Sequence, residues 1–215
     1  MSASSKKIAI VDYGMGNIHS IVKAVRLFAP NSEYTPDPEA IASADAVVLP
    51  GDGAFGAAMA GLAGAKEAAL REAVSAGKPL LGICIGFQVL FQDSDETFGD
   101  GVPTENGVIR GLGLLEGHVR HFAFDDTSLA IPHMGWNRLH PAADEADTYY
   151  QDYMYFVHSC RAVDVPDATV VARCEYGGER FPAVVRRDNL LATQFHPEKS
   201  GGLGLKLLRD WCESL

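Results

Sequence analysis

The chain has 215 residues, 47% of them hydrophobic and 21% charged, which suffices for one soluble domain with a large core and is short for two. A formal net charge of -10 argues against nucleic acid or an anionic membrane as the main partner, because both call for clustered Lys and Arg. The sequence has no signal-peptide core and no apolar run long enough to cross a bilayer, so the expected location is the cytoplasm. Cys84, Cys160, Cys174 and Cys212 are widely spaced and form no C-x-x-C pair, so reduced thiols are expected.

In chain order, residues 7–12 read as a buried strand, followed by a turn at Gly14 and Gly16. Ile18, Ile21, Val22, Val25 and Leu27 then recur at roughly helical spacing. Residues 46–50 are a second strand, a Gly-rich loop follows, and residues 57–75 predict one Ala-rich helix ending near Gly77. Residues 79–85 form a third apolar strand that ends on a cysteine between two glycines, Gly82-Ile83-Cys84-Ile85-Gly86. This alternation implies a parallel sheet with helices on both faces and sites beyond the carboxyl ends of the strands.

The second half differs. Residues 93–103 read as an acidic loop, and short β-like runs follow at 114–122, 153–157, 169–175, 183–187 and 190–194, expected to be antiparallel and to extend the same sheet. Residues 141–147 look like a polar linker, Gly201-Gly202 a break, and residues 203–212 a closing amphipathic helix.

The stretch around Cys84 has the pattern of a nucleophile elbow with Cys in place of Ser. A sharp strand-to-helix turn would expose the thiol, and the positive end of the next helix would favour the thiolate. A buried core cysteine is the competing reading. A thiol nucleophile needs a base, and the base needs an orienting group. His196-Pro197-Glu198 supplies both, since residues i and i+2 of an extended chain share a side roughly 6 to 7 Å apart. These residues follow the apolar run at 190–193, which puts them at a strand's carboxyl end like Cys84. His158, beside Ser159 and Cys160, is the main rival site; His118 and His121 are expected to be surface residues on opposite faces, not metal ligands.

Residues 51–56, Gly-Asp-Gly-Ala-Phe-Gly, match G-x-G-x-x-G, which keeps a non-enzymatic nucleotide-binding module in view. That fingerprint requires an acidic residue about 20 positions on, and Ala76-Gly77 stands there. With the Ile85 amide, the loop's bare amides would instead suit an oxyanion, provided that the Asp52 carboxylate points away. Gln88, one helical turn after Cys84, would turn its carboxamide towards the thiol as a substrate hook.

Taken together, the P-G-x-G loop, G-x-C-x-G-x-Q and the late F-H-P-E resemble the class I, triad-type glutamine amidotransferases over nearly the whole chain. Residues 12–17 and Pro132-His133-Met134-Gly135-Trp136-Asn137 further resemble segments of the glutaminase subunits of imidazole glycerol phosphate synthase. The resemblance implies an α/β, flavodoxin-like glutaminase fold spanning residues 1–215 as one domain: a mostly parallel sheet flanked by helices and extended by antiparallel strands. It implies glutamine hydrolysis through a Cys84 thioester, with His196 moving the proton, Glu198 orienting it, and Gly53 and Ile85 offering oxyanion amides. Gln88, Glu96, His158 and Ser159 would bind the substrate; Cys160 stands where the family has an aromatic residue. No cofactor or metal is implied. The partner would be a separate (β/α)8-barrel synthase that receives the ammonia, docked over Pro132 to Asn137. A related thiol hydrolase, of γ-glutamyl hydrolase or peptidase type, is the enzymatic alternative.

Overall fold

The computed structural model describes residues 6–15, 18–97, 104–124, 129–142 and 148–215. The first half runs β1 (Ile8–Val11), α1 (His19–Phe28), β2 (Glu33–Thr35), α2 (Pro38–Ser43), β3 (Ala46–Leu49), α3 (Phe55–Leu62), α4 (Ala65–Ser75), β4 (Leu80–Ile83) and the single turn α5 (Ile85–Gln88). The second half adds β5 (Asp93–Ser94), β6 (Ile109–Arg110), β7 (His118–His121), β8 (His133–Arg138), β9 (His140–Pro141), β10 (Tyr153–His158), β11 (Cys160–Val163), β12 (Val170–Tyr176), β13 (Glu179–Arg187), β14 (Leu190–Thr193) and α6 (Gly201–Glu213).

The main sheet has eight strands in the order β2-β1-β3-β4-β14-β13-β12-β9. Strands β2, β1, β3, β4 and β14 are mutually parallel, whereas β13, β12 and β9 continue the sheet antiparallel. Because β1, β3 and β4 are buried on both faces, they read in the sequence as unbroken apolar runs. Period two sorts their side chains. Ala9, Val11, Val47 and Leu49 pack with Ile41, Phe55, Leu62 and Leu70 of the helices on one face. Ile8, Ile10, Val48 and Leu81 pack with Ile21 and Val25 of α1 and with Leu208 and Trp211 of α6 on the other.

Several expectations are corrected. Residues 57–75 form two helices, because Gly64, at φ +80°, takes a left-handed conformation that ends α3 and starts α4. Strand β14 is parallel to β4, not antiparallel, since the hairpin from β13 returns it beside β4. Strands β7 and β10 leave the main sheet altogether: β7 lies in a four-stranded sheet ordered β11-β7-β5-β6, and β10 pairs with β8 as a two-stranded ribbon. The 93–103 stretch opens with β5, and 98–103 lie outside the described residues. His140 and Pro141 pair with β12, while 143–147 of the expected linker also lie outside. Gly201 and Gly202 form the first turn of α6 instead of a break. Among the described residues no helix is long and apolar enough to cross a membrane, and all four cysteines are free.

Candidate active site

The site lies at the carboxyl ends of two neighbouring strands. Strand β4 delivers Cys84 and β14 delivers His196, and the register that pairs Ile83 with Thr193 fixes both ends on one rim. The Cys84 amide donates to Thr193 O at 2.8 Å, so the turn is tied to the strand that carries the base.

Cys84 itself has φ 54° and ψ -106°, a conformation that side-chain-bearing residues rarely hold. Close packing over-determines it. A Cβ on Gly82 would lie 2.8 Å from Gly86 O, and one on Gly86 would sink into the Leu49 carbonyl. A Cβ on Gly51 would strike Ile85 and the Tyr13 hydroxyl, so the amide-rich loop also packs directly on the elbow. Tyr13 is buried and donates its hydroxyl to Pro50 O, bracing that loop from below. Burial, with the nearby charge of Cys84, pushes the Tyr13 pKa well up, so it stays neutral. Gly16 and Asn17, which complete the Tyr13 segment, lie outside the described residues.

The buried His196 Nδ1 donates to Glu198 Oε1 at 2.8 Å. Its Nε2 is buried and, among the described residues, has no partner within hydrogen-bond distance. Burial disfavours the imidazolium, but the charge of Cys84, together with the hydrogen bond and charge of Glu198, outweighs it and raises the His196 pKa to about 10. Imidazole and carboxylate are thus hydrogen bonded, with the thiol near enough for its charge to act on the imidazole. Strand β10 holds this arrangement from the side: His196 N donates to Tyr155 O at 3.0 Å, Tyr155 N to Ser200 Oγ at 2.9 Å, and Cys84 Sγ lies 3.7 Å from Val157 O.

A cavity of about 190 Å³ opens beside the thiol, lined by Asp52, Gly53, Cys84, Ile85, Gln88, Glu96, Pro132, Val157, His158, Ser159 and Cys160. It brings together every residue assigned from the sequence to the oxyanion and the substrate. A larger groove of about 790 Å³ over α1, lined by Ile18, His19, Val22, Lys23, Arg26, Leu27 and Tyr34, has no thiol.

Individual roles change with the geometry. Gln88 is buried, and its amide nitrogen donates to Cys160 O and to Gln194 Oε1, both at 3.0 Å. Its donors are therefore spent within the chain, and the hook reduces to the carbonyl oxygen. Gln194, buried and unassigned from the sequence, places Nε2 3.9 Å from Cys84 Sγ and so links Gln88 to the thiol. The signal was a polar residue ending an apolar run, where a buried amide must find partners. Glu96 accepts from the Phe55 amide at 2.8 Å, and burial raises its pKa against that hydrogen bond. Asp52 lies 4.0 Å from Lys199 Nζ, so a cation offsets the carboxylate that threatened the oxyanion.

The rival cluster is bonded within the chain. His158 donates from Nδ1 to Cys160 O at 2.8 Å and meets His133 Nδ1 at 3.1 Å, and burial pushes its pKa down to about 3. It is a neutral structural imidazole on the cavity wall, and burial likewise pushes the neighbouring Cys160 thiol up. His118 and His121 are partly exposed and hydrogen bonded to Asp93 (2.9 Å) and Asp95 (3.0 Å), carboxylates of one adjacent segment.

In the Pro132 to Asn137 segment the side chains divide by strand period. Met134 and Trp136 are 63% and 52% exposed, whereas His133 is buried and bonded to Asn137 Oδ1 at 2.9 Å, which removes it from any docking surface. Pro132 belongs to the cavity wall.

A strained thiol at the end of β4 and a hydrogen-bonded His–Glu pair just beyond the end of the adjacent parallel strand have the arrangement of a triad-type thiol enzyme on a doubly wound sheet. The family model described as glutamine amidotransferase class-I matches residues 9–214, and the chain belongs to that family. Among its relatives are proteins named imidazole glycerol phosphate synthase subunit HisH. The one from Synechococcus sp. is 41% identical over 212 residues, covering 96% of this chain and 93% of the relative. The one from Methanothermobacter thermautotrophicus is 45% identical over 208 residues, covering 96% and 98%. Two solved structures share the fold at 20% identity and TM-score 0.70: a glutamine amidotransferase, covering 96% of this chain and 98% of that one, and PurLQS from Thermotoga maritima, covering 98% of each.

Proposed function

We propose that this chain is a single-domain glutaminase that hydrolyses glutamine to glutamate and ammonia in the cytoplasm and passes the ammonia to a separate (β/α)8-barrel synthase in histidine biosynthesis. The observation that carries the reading is that Cys84 and the His196–Glu198 pair share the rim of β4 and β14, with a cavity opening on the thiol. Cys84 passes its thiol proton to His196 and attacks the side-chain amide carbon, forming the S–C bond while the carbonyl becomes an oxyanion facing the Gly53 and Ile85 amides. His196, protonated, gives its proton to the amide nitrogen, the C–N bond breaks and ammonia leaves. A water then attacks the thioester, its proton returns to His196, and glutamate leaves as the S–C bond breaks. Glu198 holds the imidazole in the tautomer and orientation both steps need.

The barrel partner uses the ammonia on a phosphorylated ribonucleotide to give imidazole glycerol phosphate and an aminoimidazole carboxamide ribotide, consistent with relatives named as subunits of that synthase. The test is ammonia release from glutamine and from a γ-glutamyl peptide, each with and without the synthase. Glutamine turnover that rises when the synthase is added supports the proposal. A peptide cleaved faster than glutamine, with no response to the synthase, would replace it with a thiol hydrolase.

A further inference from the structure

Behind the cavity wall, the small sheet gathers three donors of different chemistry. Cys160 on β11 and His121 on β7 are direct cross-strand partners, and the Asp95 carboxylate accepts from the His121 amide and meets its Nδ1, both at 3.0 Å. One ligand atom from each of Asp95, His121 and Cys160 lies within 4.8 Å of the others. The backbone pairing fixes this arrangement in advance, so little ordering remains for a ligand to impose.

We propose that Asp95, His121 and Cys160 form a binding site for a thiophilic divalent cation of the zinc type. A thiolate, an imidazole and a carboxylate together match borderline-soft ions and not Mg²⁺ or Ca²⁺, which prefer all-oxygen sets. The backbone is already in place, so binding needs only side-chain shifts that draw the donor atoms in from separations of up to 4.8 Å. A zinc-type ion binds the thiolate, so binding releases the Cys160 thiol proton to solvent as the metal–sulfur bond forms. The Cys160 carbonyl anchors both Gln88 and His158, so an ion on its side chain braces the wall of the same cavity.

The direct test adds Co²⁺ to chelator-treated protein in a Cys84→Ala background, which removes the other thiol–imidazole pair. The proposal predicts one equivalent bound with a thiolate-to-cobalt charge-transfer band, displaced by Zn²⁺. Adding His121→Ala or Cys160→Ala to that background should abolish the band and weaken binding at least about tenfold, with far-ultraviolet circular dichroism unchanged for the half-exposed His121. The proposal is overturned if Cys84→Ala alone loses the band, if no cobalt binds, or if stoichiometry and band survive both added substitutions.

Discussion

At the scale of single residues, the site depends on strain held in place by packing. The left-handed backbone of Cys84 persists because Gly86 lets the elbow lie against the Leu49 carbonyl. Gly86→Ala forces that contact apart, and urea denaturation should show a loss of about 3 kcal/mol, the upper end for overpacking. Gln194→Leu leaves one Gln88 donor unpaired in a buried site, an expected loss of about 1–3 kcal/mol by the same measurement. The His196–Glu198 pair makes a prediction with pH. The His196 pKa rises from 6.5 to about 10 on folding, so its contribution to stability is complete below about pH 6.5 and is lost as pH rises towards 10. Glu198→Gln removes one support of the imidazolium, so its stability penalty should be larger at about pH 6 than at about pH 10.

The placement of Cys84, His196 and Glu198 at one rim was legible in the sequence because an elbow and an i, i+2 pair are local patterns. Gln194 and Lys199 were not. Each acquires its meaning from a residue far away in the chain, Gln88 or Asp52, and only the β4–β14 pairing brings them together. His158 carries the same lesson: its two internal hydrogen bonds depend on the fold and are not visible at a strand end in the sequence.

Among the elements, the β8–β10 ribbon links surface to site. Its outer side exposes Met134, Trp136 and Tyr153, with Trp136 edge-on to Tyr155 at 6.0 Å. Its inner side offers the Tyr155 and Val157 carbonyls to His196 N and to Cys84. An apolar surface whose own strand is bonded to the base and the thiol is suited to couple docking to catalysis. Trp136→Ala should leave unfolding unchanged within about 0.5 kcal/mol, as for an exposed position, while weakening synthase binding and synthase-stimulated ammonia release. Unchanged affinity and unchanged stimulation would remove the ribbon from the interface. The sequence marked this segment by resemblance, but pairing with β10 was not legible, since a short alternating run fits the main sheet as well as a separate ribbon. The α3–α4 break was hidden similarly, because Ala-rich periodicity continues through a glycine whose φ only packing decides.

For the molecule as a whole, five parallel strands in flavodoxin-like order place β4 and β14 side by side, and the antiparallel extension supports the strand that carries the base. The parallel half was readable from its doubly buried strands. The second half was not, because short strands record no partner. The measurement that bears most directly on the central claim uses the reconstituted complex with the barrel synthase, supplied either with glutamine or with free ammonium. Cys84→Ala should abolish glutamine-dependent product formation while ammonium-dependent formation continues at the parent rate. A Cys84→Ala complex that still uses glutamine at the parent rate would contradict the assignment of Cys84 as the nucleophile.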